Sequence, residues 1–119
     1  MEVNMTHAEL VANLAKPGSE IVDTITPEQA HLLHMAVGIS GEAGELLDAI
    51  KKAVIYQKEI DLENVIEELG DLEFYMEGLR QGLDLSRDET VQLNINKLMT
   101  RYQSGKYSDQ QAQDRADKA

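Results

Sequence analysis

The stretch from Thr26 to Gln57 leaves this chain few choices of fold. Thr26-Pro27-Glu28-Gln29 places a capping hydroxyl, a proline suited to the first helical position, and a glutamine able to reach back to the cap. No proline follows up to Gln57, and Leu32, Leu33, Met35, Ala36, Ile39, Leu46, Leu47, Ile50 and Val54 recur at helical spacing. Gly38, Gly41 and Gly44 interrupt that pattern. Each internal glycine costs a helix about 1 kcal/mol relative to alanine. Three of them at intervals of three either strip one side of a long helix, so that a neighbour or ligand can approach, or mark a break near Gly41. Among them stand Glu42 and Glu45, three apart and therefore on one side of the helix. A similar pair recurs as Glu68-Leu69-Gly70-Asp71.

The flanking sequence reads as further helices. Thr6-His-Ala-Glu9 is a capping box opening a short helix with Leu10, Val11 and Leu14, which stops at Pro17-Gly18. Glu20 to Thr24 is a linking segment with room for a turn of helix. Asp61 caps a helix from Leu62 to about Gln81 whose expected buried stripe is Val65, Ile66, Leu69, Leu72, Met76 and Leu79, and Gly82 suits a left-handed C-terminal cap. Ser86-Arg-Asp-Glu89 opens another, to about Ser104, whose expected core stripe is Val91, Leu93, Ile95, Leu98, Met99 and Tyr102. No strand alternation is present. The expected fold is all-α, four main helices resembling a four-helix bundle, in a single domain over 1–119 with its core at about 26–107 and a polar tail at 108–119.

Composition narrows the function classes. The chain has 119 residues and no cysteine, which removes disulfides, zinc thiolates and thiol catalysis. No basic-then-apolar leader and no run of about 18 apolar residues is present, so neither a signal peptide nor a membrane span is expected, and the cytoplasm is the default compartment. Acidic residues outnumber basic ones 22 to 11, a net charge of −11. That disfavours a nucleic-acid polymer as partner. It leaves room for a small phosphorylated ligand, because a divalent cation can bridge acidic protein and anionic substrate.

Two carboxylate pairs on two antiparallel helices suit such a cation. Mg²⁺ or Mn²⁺ prefers carboxylate oxygen and keeps water and substrate phosphate in its shell. The candidate ligands are Glu42, Glu45, Glu68 and Asp71, with Asp48 ambiguous one turn beyond Glu45. Asn94, Lys97 and Arg101 share a face of the later helix and are candidates for holding phosphates, as are Lys51 and Lys52.

At these residues the chain resembles a known family. Gly41-Glu42-Ala-Gly-Glu45-Leu-Leu, Ile50-Lys51-Lys52, Glu67-Glu68-Leu-Gly-Asp71-Leu and Asn94-Ile-Asn-Lys97-Leu-Met-Thr-Arg101-Tyr102 look like the MazG-like all-α nucleoside triphosphate pyrophosphohydrolases, over roughly Leu32 to Tyr107. The resemblance implies cleavage of a nucleoside triphosphate between the α and β phosphates, giving monophosphate and pyrophosphate, in nucleotide-pool house-cleaning. It makes Glu42, Glu45, Glu68 and Asp71 the metal ligands and catalytic carboxylates, Tyr75 a nucleotide contact, and Asn94, Lys97 and Arg101 phosphate or sugar contacts. It also implies a homodimer or dimer of dimers. Many relatives carry a Glu directly before the first ligand, where this chain has Gly41; Glu67 is the residue available to replace it.

Three other readings compete. Phosphoribosyl-ATP pyrophosphohydrolase activity belongs to the same superfamily, but no feature here requires it. A di-iron bundle needs two Glu-x-x-His motifs, and the chain has only Glu28-Gln-Ala-His31. An acidic helical adaptor would explain the charge, but not the small residues flanking both acidic pairs.

Overall fold

The computed structural model describes residues 4–118 and, among them, is helical with no strand. Helices α1 (His7–Leu14), α2 (Gly18–Thr24), α3 (Pro27–Ile55), α4 (Leu62–Gly82), α5 (Arg87–Arg101) and α6 (Asp109–Asp114) follow in order, and a 3₁₀ turn spans Ala116–Lys118. The linking segment is thus a full short helix, α2, and the tail carries α6. The start signals act as expected. Thr26 and Gln29 form a complete capping box, and Thr6, Asp61 and Ser86 each accept from the backbone amide three residues on.

Two endings differ from expectation. Gly82 is the last residue of α4, not its left-handed cap; the positive φ falls on Asp84. Gly82 is small for a different reason, since a Cβ there would lie 2.7 Å from His31 and 2.9 Å from Leu32. Helix α5 ends at Arg101, not Ser104. The break allowed near Gly41 does not occur, and α3 is continuous until Gln57 turns left-handed with φ 54°.

The principal packing is α3 against α4, an antiparallel hairpin across the 56–61 connection. Its register can be followed by the residues that meet: His31 with Gly82, Met35 with Gly78, Gly38 with Tyr75. His31 Nε2 donates to the Gly78 carbonyl at 2.8 Å, which fixes the near end of the seam. By contrast α5 packs chiefly on the tail that follows it, α6 and the 3₁₀ turn.

The expected apolar stripes are therefore only partly covered in one chain. Met35 and Ala53 are buried, with Arg80 beside Glu73 and Glu77. Leu33, Leu47, Val54, Ile66, Leu69, Leu93, Ile95 and Met99 stay exposed. A two-helix hairpin can cover one face of each helix, while α3 and α4 carry apolar residues on more than one.

Candidate metal and nucleotide site

The hairpin register continues past Gly38 and Tyr75 into the acidic pairs. One turn on, Glu42 of α3 meets Asp71 and Glu68 of α4, with one carboxylate oxygen of each within 4.8 Å of the others. Glu42 and Glu68 are half-buried and Asp71 is exposed. One oxygen of Glu42 and one of Glu68 are sealed from solvent without a hydrogen-bond partner. Two ionised carboxylates can only accept, so neither satisfies the other. The Glu68 carboxyl is accordingly pushed up from 4.5 to about 7, first by its proximity to Glu42, with which it can share a proton, then by burial and by the charge of Glu45.

Glu45 lies beside this trio rather than within it. Together with Glu68 it lines an open depression of about 470 Å³ bordered by Gly41, Gly44, Lys52 and Asn64. Nothing lies within 4 Å of a Cβ added at Gly41 or Gly44, so these two glycines keep the floor open. Asn64 was not among the residues singled out from sequence; it stands four before Glu68, hence on the same face of α4, and that spacing was the available signal. Asp48 accepts from Lys52 at 2.9 Å and lies 3.6 Å from Lys51, and the Lys52 ammonium holds its carboxyl below the usual range.

The donor set is all oxygen, and buried carboxylate oxygens without hydrogen-bond donors are what a hard divalent cation would satisfy. The residues present fit such an ion. Tyr75 occupies the next position on the seam, its ring laid on Gly38 and edge-on to His34 and Phe74. The exposed Glu67 lies outside the trio.

The α5 candidates are not brought to the carboxylates within one chain. Lys97 lines a separate depression of about 540 Å³ with Asn96, Thr100, Lys118 and Asp117. Arg101 grips Asp117 through Nε at 2.7 Å and Nη2 at 3.1 Å, and the guanidinium holds the Asp117 carboxyl below its usual range. Asn94 is exposed on the same helix. Asp117 carried no sequence signal, because its partner lies sixteen residues away across two turns.

An all-α hairpin with facing Glu and Asp pairs defines a carboxylate-centred, metal-compatible site. Residues 29–105 match the MazG nucleotide pyrophosphohydrolase domain. The chain belongs to that family. It is also similar to the "Gene 37 protein" of Mycobacterium phage L5, 34% identical over 95 residues, covering 75% of this chain and 78% of the phage protein. No solved structure matches it. Among the described residues, no helix is long and apolar enough to cross a membrane.

Proposed function

We propose that this protein is a Mg²⁺- or Mn²⁺-dependent nucleoside triphosphate pyrophosphohydrolase, cleaving between the α and β phosphates to release monophosphate and pyrophosphate. The observation that carries the reading is the Glu42–Glu68–Asp71 cluster, with its two orphaned buried oxygens, inside the family-matched segment. When bound, the cation neutralises phosphate charge and lowers the pKa of water. Glu42, Glu68 and Asp71 would hold it, with Glu45 reaching in from beside them. The open floor at Gly41 and Gly44 admits the phosphates, with Lys52 and Asn64 at its border. Tyr75, one turn beyond Asp71, would contact the nucleotide.

Asn94, Lys97 and Arg101 then reach the phosphates or sugar from the α5 of a second copy. Supporting this, the accessible surface of 9717 Å² is roughly half as much again as the ~6,450 Å² usual for this mass. The radius of gyration, 20.7 Å, exceeds the ~13.5 Å of a compact chain of this length. A homodimer or dimer of dimers would cover the exposed stripes. The role is house-cleaning of the nucleotide pool, in the cytoplasm, by a single domain.

The test is pyrophosphate release from ribo- and deoxynucleoside triphosphates with Mg²⁺ or Mn²⁺, with a chelator control. Pyrophosphate with monophosphate is expected. Orthophosphate with diphosphate as products would place cleavage at another bond and overturn the proposal.

A further inference from the structure

We propose that Asp117 is a positioning residue for Arg101, gripping one edge of the guanidinium so that its other edge is presented to a polyphosphate. A guanidinium offers two forked edges to an anion, Nε with Nη2 and Nη1 with Nη2. Asp117 takes the first, at 2.7 and 3.1 Å. Of the second, Nη2 already gives one hydrogen to Asp117 and keeps one, while Nη1 makes no hydrogen bond among the described residues, with Tyr102 beside the guanidinium.

The exposures of the pair point the same way. Asp117 is the enclosed partner at 5%, while Arg101 keeps 17%, so what access the pair has is on the arginine's side. Arg115 makes this possible: its left-handed φ of 49° ends α6 and folds the chain back onto α5. Asp117 also borders the depression lined by Lys97 and Lys118, beside which Arg101 stands without lining it. Lys97 and Arg101 are four apart on one helix face, so a polyphosphate lying along α5 meets a lysine and then the outer fork of an arginine whose rotation is already fixed.

This inference rests on the reading of Arg101 as a phosphate contact, and the test separates the two. Binding of inorganic tripolyphosphate with Mg²⁺ is measured by calorimetry on the full chain, which needs no turnover. Asp117→Asn is expected to weaken binding about tenfold, and Arg101→Met at least as much. In the Arg101→Met background, Asp117→Asn should add less than about twofold, because its effect passes through Arg101. Asp117→Glu, which keeps the carboxylate, should recover most of the loss.

Equal additional losses in both backgrounds would mean that Asp117 serves only to dock the tail, and would overturn the proposal. Unchanged or tighter binding in Asp117→Asn, with Arg101→Met still impaired, would also overturn it while leaving the phosphate role of Arg101 intact. Unchanged binding in Arg101→Met would instead remove that role, and the positioning of Arg101 with it.

Discussion

The two ends of the α3–α4 seam are built on one register and do opposite things with it. Toward the start of α3, each crossing pairs a large side chain with a glycine: Met35 over Gly78, Tyr75 over Gly38, His31 and Leu32 over Gly82. The surfaces close and the helices lock. One turn further on, the crossing pairs carboxylate with carboxylate, Glu42 with Asp71 and Glu68, and the glycines alongside face open space. The closed end fixes the distance and rotation of the two helices. The open end uses that fixed geometry to hold like charges together, an arrangement an isolated hairpin would relax by splaying.

The largest effect should come from removing a carboxylate at the open end. Glu68→Gln or Asp71→Asn is expected to reduce pyrophosphate release by more than the roughly 10–100-fold typical of losing a group that merely supports a metal ligand. Helix content by circular dichroism should not change, because the closed end is untouched. Full activity in either variant would sink the site assignment.

Gly38→Ala should come next. The added methyl would run into the Tyr75 ring, a rigid neighbour. Overpacking of this kind costs about 1–3 kcal/mol, against which the alanine gains about 1 kcal/mol in helix propensity. A lowered melting temperature is expected. A raised one would mean that the seam has room for the methyl, and that the distance between the carboxylates is not fixed by it.

How much of this was legible beforehand follows from the range of each interaction. Helix starts were readable at Thr6, Thr26, Asp61 and Ser86, because a cap and its amide lie three residues apart. The meeting of Glu42 with Glu68 and Asp71 was readable from spacing on two antiparallel helices, whereas the place of Glu45 beside that trio was not. What the glycines do was not. Gly38, Gly41 and Gly44 share a spacing, yet only the first meets a side chain from α4, and that depends on register. The Arg101–Asp117 grip was hidden for the same reason, since it requires the left-handed turn at Arg115. The stripes of α4 and α5 read as buried, yet Ile66, Leu69, Val91, Leu93, Ile95, Leu98 and Met99 are exposed, because a sequence does not state whether its own chain covers an apolar face.

Gly44→Ala sharpens the contrast with Gly38. No atom lies within 4 Å of the new methyl, so helix propensity alone should raise stability by up to about 1 kcal/mol. The same methyl intrudes on the floor beside Glu45 and Glu68. A gain in melting temperature with a raised KM is expected. If Gly44→Ala and Gly38→Ala both destabilised the protein, the two ends of the seam would not differ in how closely they are packed.

The smallest expected effect is a pH dependence confined to the open end. In the metal-free protein the Glu68 carboxyl titrates at about 7 instead of 4.5. Between those values the folded state binds more protons than the unfolded chain, so the Glu68 contribution to stability falls as pH rises from about 4.5 through about 7, then levels off. Solvent on the open side screens the effect and keeps it modest. Melting temperatures in chelator between about pH 5 and pH 8 should therefore decline more steeply in the native protein than in Glu68→Gln, which lacks the titrating group and relieves the repulsion with Glu42. With Mg²⁺ added the sign reverses, because the ion competes with the proton for the same oxygens, and the metal-induced rise in melting temperature should grow over that range. Parallel slopes for the two proteins in chelator would show that Glu42 and Glu68 do not press on each other, and that the closed end does not hold them where the register places them.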